Sequence, residues 1–297
     1  MIDAYQMATD RICELLEQGF IPWNKPWAMA SDCAWSGNDG HVYSLLNQLL
    51  LADPKKKYHG IDEMFKDISG EWVTFKQALD RGGCVRKGEH GRKVIFFNMV
   101  PKKDDDGNET EKMIPILSWS TVFKISQCDG IEQKFHKDAD TLYDFEADRT
   151  AEEVACQYID REKVELKIKH CNKACYSPAS DTVTMPLPEQ FADNSEYYST
   201  LFHELVHSTG HPNRLNRLSR TAAFGNEEYS AEELVAEIGS ASIMATLGIE
   251  SNGTFRNSAA YIQNWLKALK NDKKLIVTAS SKAEKAIKMI FDIKEEN

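Results

Sequence analysis

The period of the apolar positions changes several times along this chain, and each change marks an element. Ile2, Tyr5, Ile12, Leu15 and Leu16 recur at helical spacing and the pattern stops at Gly19, so an amphipathic helix opens the sequence. "FIPWNKPW" then reads as a Pro/Trp-rich loop, "YSLLNQLLLA" as a short helix, and "WVTFKQALDRGG" as another helix ending on Gly82 or Gly83. Beyond the turn chemistry of "VRKGEHG", the β-branched and aromatic "RKVIFFNMV" predicts a strand. The polar "PKKDDDGNETEK" predicts a hairpin loop, and "MIPILSWSTVFKI" the returning partner. No period is sustained from Ser126 to Thr150, which places a boundary there.

The second half starts with a helix, "TAEEVACQYIDRE", whose Thr150 and Glu153 have capping-box spacing. "VELKIKH", "ACYSPAS" and "DTVTMPL" alternate like strands of a small sheet. A helix then runs from an Asp193 cap, with Glu196 three residues on, to a stop at Gly210. Further helices are predicted from about Ser230 to Leu247, over "SAAYIQNWLKALKND" and over "SSKAEKAIKMIFDIK". The fold class is α+β in two domains, 1–125 and 150–297, joined by a linker at 126–149.

Composition narrows the class. The 297 residues are 42% hydrophobic and 28% charged, as in soluble globular proteins, and no stretch approaches the roughly 20 apolar residues of a membrane span. The amphipathic N-terminus does not read as a signal peptide. Seven scattered cysteines suit reduced thiols in a cytoplasmic protein, and only Cys171 and Cys175, beside His170, hint at soft metal ligands. A net charge of -10 argues against coating nucleic acid with the whole surface, so such a role needs a local patch. One exists: Lys76, Arg81, Arg86, Lys87, Arg92 and Lys93 stand against only Asp80 and Glu89 over residues 76–93. Combined with glycines, and with aromatics such as Trp23, Trp27, Tyr43 or Tyr58, it suits the phosphates and bases of an unpaired strand.

The most specific chemistry lies in "LFHELVHSTGHPNRL", residues 201–215. His203 and His207 are four apart on a helix and can present both imidazoles to one cation, with Glu204 placed to act as the base of metal-assisted hydrolysis. A third ligand is needed. The metzincin pattern would put a histidine at 213, which is Asn, and His211 leaves the helical face. The other donor class is a carboxylate of "YSAEELVAEIGSASIMATLG", where Ala236, Gly239, Ser240 and Ala241 would let that helix pack closely. "EELVAEIG" is similar to the gluzincin pattern, which implies Glu233 as the ligand and Glu237 as the partner of a ligating histidine, with Glu232 an alternative. Ser230 and Glu233 also have capping-box spacing, which would occupy Glu233 otherwise. Tyr229, just before this helix, is a candidate oxyanion stabiliser, and the edge-like "CYSPAS" could take an extended peptide.

The ordered motifs "GFIPWNKPW", "YSLLNQLLLA", "WVTFKQALDRGGCVRKGEHGRKVIFF", "STVFKISQCDGI", "YSPASDTVTMP", "YYSTLFHELVHSTGHPNRLNR", "YSAEELVAEIGSASI" and "AAYIQNWLKALKND" resemble those of the ArdC-type antirestriction proteins of plasmids and phages. The resemblance implies an N-terminal single-stranded-DNA-binding domain, a C-terminal zincin-like metallopeptidase domain with Zn2+ on His203, His207 and Glu233, and Glu204 as catalytic base. It implies DNA contacts within residues 72–97 and an unknown protein or peptide substrate. The alternative is a DNA-protection protein whose metal domain is structural or vestigial.

Overall fold

The structure, a computed structural model, describes residues 3–18, 33–59, 61–103, 109–135, 151–191, 193–218, 227–249 and 259–293. The chain divides into two compact units, Met1–Glu14 with Ser31–Asp138, and Leu15–Ala30 with Ala139–Asn297. The opening helix α1 (Ala4–Glu17) buries Ile12, Leu15 and Leu16 of the predicted stripe together with Ala4 and Ala8, while Tyr5 is half-buried and Ile2 lies outside the described residues.

The first unit is built on a four-stranded sheet. Its elements run β1 (Ala34–Ser36), α2 (Leu45–Leu51), α3 (Ile61–Ile68), β2 (Gly70–Thr74), α4 (Phe75–Asp80), β3 (Cys84–Val85), β4 (Arg92–Lys103), β5 (Glu109–Lys124) and β6 (Cys128–Asp129). The strand order is β1-β2-β5-β4, with β1 parallel to β2 and the other pairs antiparallel. Two side-chain amides of α2 complete the backbone pairing. Asn47 exchanges both hydrogen bonds with the backbone of Ile95 at 2.8 Å, and buried Gln48 does the same for Ala34.

Three sequence expectations change here. Trp72–Thr74 belongs to a strand, because Thr74 and Gln77 form a reciprocal capping box that starts the helix only at Phe75. The polar hairpin segment is largely strand, since ladder hydrogen bonds satisfy the backbone whatever the side chains, and 104–108 lie outside the described residues. Within the run read as patternless, β6 pairs with β3 and Arg86 N–H donates to Gln127 O. Thr150 lies outside the described residues, as do Trp23 and Trp27.

The second unit carries α5 (Ala151–Glu162), β7 (Glu165–Ile168), β8 (Cys175–Ser177), β9 (Thr182–Met185), α6 (Asn194–Thr209), α7 (Glu227–Thr246), α8 (Ala259–Asn271) and α9 (Leu275–Ile290). Its sheet has the order β7-β9-β8, leaving antiparallel β8 at an edge. The Asp193 carboxylate accepts from Glu196 N–H at 2.8 Å, as the cap spacing predicts. Helix α6 ends at Gly210, but φ there is -76°, so no left-handed turn makes the stop. Glycine is needed for space: a Cβ would sit 3.0 Å from both the His207 carbonyl and Leu218 Cγ. Helix α9 starts at Leu275, ahead of the predicted Ser280, because Leu275, Ile276, Val277 and Ala279 extend its buried stripe.

Helix α6 is buried on every side from Leu201 to Thr209. It packs on α7, and Phe202, Leu205 and Val206 of α6 and Leu234, Val235 and Ile238 of α7 are all buried, each such large side chain contributing about 1.5–3 kcal/mol. At Gly239 the two helices leave no room for a side chain, since a Cβ would fall 2.8 Å from Val206 Cγ2. Gly239→Ala should therefore destabilise the metal-free protein by about 1–3 kcal/mol in chemical denaturation, and Val206→Ala in the same chain should recover part of the loss.

Candidate metal centre

Burying two histidines and several carboxylates on packed helices demands that they satisfy one another. His203 and His207 are each under a tenth exposed, and their rings stand edge to face with Nε2 atoms 3.1 Å apart. From α7, Glu233 closes the triangle, 3.5 Å from His203 Nε2 through one oxygen and 3.3 Å from His207 Nε2 through the other. Donors on a tetrahedral ion with bonds of about 2.0–2.1 Å lie about 3.3 Å apart, so the set fits a cation such as Zn2+. Among the described residues these three are the group that can converge on one ion. Two imidazoles and one carboxylate leave a coordination position for a reactant, as structural four-ligand sites do not.

The outer atoms of both rings face further carboxylates. Glu237 Oε1 lies 3.8 Å from His203 Nδ1, as expected of a partner to a ligating histidine, and that nitrogen has no hydrogen bond. Glu232 Oε1 lies 3.6 Å from His207 Nδ1 and is held by a two-pronged contact from Arg217, at 2.8 and 3.1 Å. Arg217 also donates to Thr209 Oγ1 and Val206 O, tying the α6 end to α7. The sequence reading kept Glu232 only as an alternative ligand and missed Arg217. No local pattern marks Arg217, because its partner Glu232 lies 15 residues further along the chain.

These contacts set the charges. Burial works against a charge on His207, but Glu232, Glu233 and the nearby Glu204 outweigh it and push its pKa up to about 9. Glu233 is held far below the usual carboxylate range: burial would raise it, but the two imidazoles overcome that. Glu232 is lowered despite its burial, by His207 and Arg217. Glu204 is buried on α6 between the two histidines in sequence.

Other sequence candidates separate from this cluster. Helix α7 begins at Glu227, so Ser230 lies inside it and cannot be the N-cap that would have occupied Glu233. Tyr229 is therefore in the first turn and not ahead of the helix, and its side chain lies outside those described. His211 is buried beyond the end of α6, where its Nδ1 accepts from Asn213 N–H at 3.2 Å. Cys171 and Cys175 are free thiols.

The basic stretch is mostly committed internally. Arg81 pairs with the buried Glu71 carboxylate and donates to Glu132 O. Arg86 binds Glu89, Asp129 and Ser126 O, and Arg92 pairs with Asp53 at 2.7 Å. Lys93 sits 3.5 Å over the Trp119 ring and donates to Thr121 Oγ1. Lys76 and Lys87 are exposed. Tyr58, a candidate for stacking, is a core residue whose hydroxyl donates to Asp67 and accepts from Asp53 N–H. The exposed aromatics are instead Phe75, Phe96 and Phe97. Phe75 opens α4, and Phe96 and Phe97 lie on β4.

Residues 153–282 match the model of the zincin-like metallopeptidase family MPTase-PolyVal, and residues 2–123 that of the N-terminal domain of anti-restriction factor ArdC. Fold and site thus define a two-domain α+β protein with a zincin-like C-terminal domain. The chain belongs to the ArdC-type antirestriction family. It is similar to the Mn(II)-bound crystal structure of the antirestriction ArdC protein from the R388 plasmid, at 34% identity and TM-score 0.70 over 98% of both chains. The metal-free structure of that protein matches at 35% identity and TM-score 0.67 over 97% of both chains. DNA primase TraC of Escherichia coli is 30% identical over 301 residues, covering 95% of this chain and 26% of TraC, so the chain spans about a quarter of that relative. No helix among the described residues is long and apolar enough to cross a membrane.

A cation at His207 would have to displace the proton held there, which fixes the sign of the expected pH dependence. Calorimetric titration of the metal-free protein with a divalent cation in buffers of differing ionisation enthalpy should show about one proton released at pH 7, and none well above pH 9. Without metal, the raised pKa of His207 stabilises the fold fully below about pH 6.5, and that contribution is lost as pH rises through about 9.

Proposed function

We propose that this protein is an antirestriction factor of a mobile element that binds single-stranded DNA with its N-terminal domain and hydrolyses a peptide bond at His203, His207 and Glu233 with zinc. The observation that carries the reading is the buried donor triangle of 3.1–3.5 Å with Glu204 on the same helix. Zinc is the preferred ion because imidazole-rich sites bind it more tightly than manganese, the ion in the related ArdC structure. A bound zinc supplies Lewis acidity, lowering the pKa of a water and polarising the scissile carbonyl. Glu204 takes the proton of the attacking water and returns it to the leaving amine. Glu237 and Glu232 orient the two imidazoles from behind. Edge strand β8, which packs beside α6, offers its free backbone groups to an extended peptide.

On the N-terminal domain, the surface that supports strand binding is smaller than the basic composition suggests. Lys76 and Lys87 supply its cations, and Phe75, Phe96 and Phe97, each 40% exposed or more, supply stacking faces.

Two experiments test these halves separately. Glu204→Gln should keep the metal, as measured by elemental analysis, and abolish cleavage in an unbiased peptide-library screen. Undiminished protection of incoming DNA by this variant would leave the metallopeptidase chemistry out of antirestriction. Reversing Lys76 and Lys87 to Glu should weaken binding of an oligothymidylate in anisotropy titrations and reduce the log–log salt slope by about 1.4. Unchanged affinity and slope would place the strand elsewhere.

A further inference from the structure

Strand β4 pairs with β5 on one side only, so its other side is an edge of the sheet. Helix α2 closes one end of that edge. Ile95 sends both backbone groups outward: its N–H donates to Asn47 Oδ1 and its carbonyl accepts from Asn47 Nδ2, each at 2.8 Å. Backbone direction alternates along an antiparallel strand, so Phe97 and Met99 turn their own N–H and C=O groups to the same edge. Two prolines agree with this alternation. Pro101 of β4 and Pro115, opposite Met99 on β5, have no N–H to give, and both fall where an N–H would point away from the partner strand.

Among the described residues, nothing bonds to the outward groups of Phe97 and Met99. Asn47 bounds this open stretch at Ile95, and Pro101, which lacks a donor, bounds it at the other end. Two residues are short for an added peptide strand, since strands usually run to about 5–6 residues. They suffice for planar groups that each use one donor and one acceptor. The Asn47 amide is such a group, and it shows the chemistry this edge takes: a donor beside an acceptor in one plane. A nucleobase carries that pair on its Watson–Crick edge, which is free when the base is unpaired. Phe96 and Phe97 stand on opposite faces of the ribbon by strand alternation, are 40% and 49% exposed, and offer rings beside the same edge.

We propose that the open edge of β4 at Phe97 and Met99 binds unpaired bases of single-stranded DNA through their Watson–Crick edges. A thymine N3–H donates to the backbone carbonyl of one of these residues, and its O4 accepts from the N–H of the same residue. A duplex is excluded, because its bases have already given these groups to each other. The inference rests on the strand-binding reading and adds base recognition to it, independently of the phosphate contacts assigned to Lys76 and Lys87.

The test is an anisotropy titration of the full chain that compares oligothymidylate with an oligomer of N3-methylthymidine of the same length. Both carry the same charge and similar ring faces, so contacts to phosphate and stacking cancel in the comparison. The unmodified oligomer should bind at least about tenfold more tightly, because methylation removes the donor and blocks the acceptor beside it. Met99→Pro removes an outward N–H and no ladder hydrogen bond, and should reduce that preference at least about threefold. The comparison on the unaltered chain stands whether or not this variant folds. Equal affinity for the two oligomers overturns the proposal, leaves the strand-binding reading in place and frees the edge for a peptide. A preference that persists unchanged in folded Met99→Pro also overturns it, by placing the bases elsewhere. Failure to bind either oligomer removes the strand-binding reading and this inference together.

Discussion

The approach of α6 to α7 at Gly239 is the constraint on which the metal centre depends. With the Val206 methyls against a residue that has no side chain, the two helices lie close enough for a glutamate from one to reach between two histidines of the other. Histidines four apart on one helix define only an edge of a coordination polyhedron. The third donor must come across a helix interface, and its short carboxylate arm sets how wide that interface can be. A larger residue at 239 would move the donor even if every ligand remained. Arg217 reinforces the same geometry by binding Glu232 on α7 together with Val206 and Thr209 on α6.

The charges around the histidines set the electrostatic state of the metal-free site. Glu232 and Glu233 are both held ionised beside two imidazoles, and Arg217 answers only Glu232. Without metal, the surplus negative charge falls on His207, whose proton is the substitute for a cation.

How much of this was legible in the sequence depended on how local each feature is. His203, Glu204 and His207 lie within five residues, and helical periodicity alone puts the two histidines on one face. Glu233 was less secure, because its role depends on where α7 begins. Spacing allowed a cap at Ser230, and only the extension of the helix back to Glu227 removes that competitor. Arg217 was illegible, because its function is made by tertiary contact with an acid 15 residues on. Trp72–Thr74 was assigned to a helix because its run continues without a break into one; the reciprocal Thr74–Gln77 cap divides them.

The N-terminal unit shows a different limit, since composition counts cations without saying which remain available. A buried carboxylate such as Glu71 must recruit donors, and Arg81 together with the backbone N–H groups of Lys134 and Phe135 meets that need. Arg86 and Arg92 pair instead with more accessible acids, Asp129 of β6 and Asp53. Arginine suits such positions because its planar fork satisfies several acceptors at once, whereas lysine at a surface helix stays hydrated. The basic run therefore divides by residue type: its arginines pair within the unit, Lys93 lies over an aromatic ring, and Lys76 and Lys87 stay exposed.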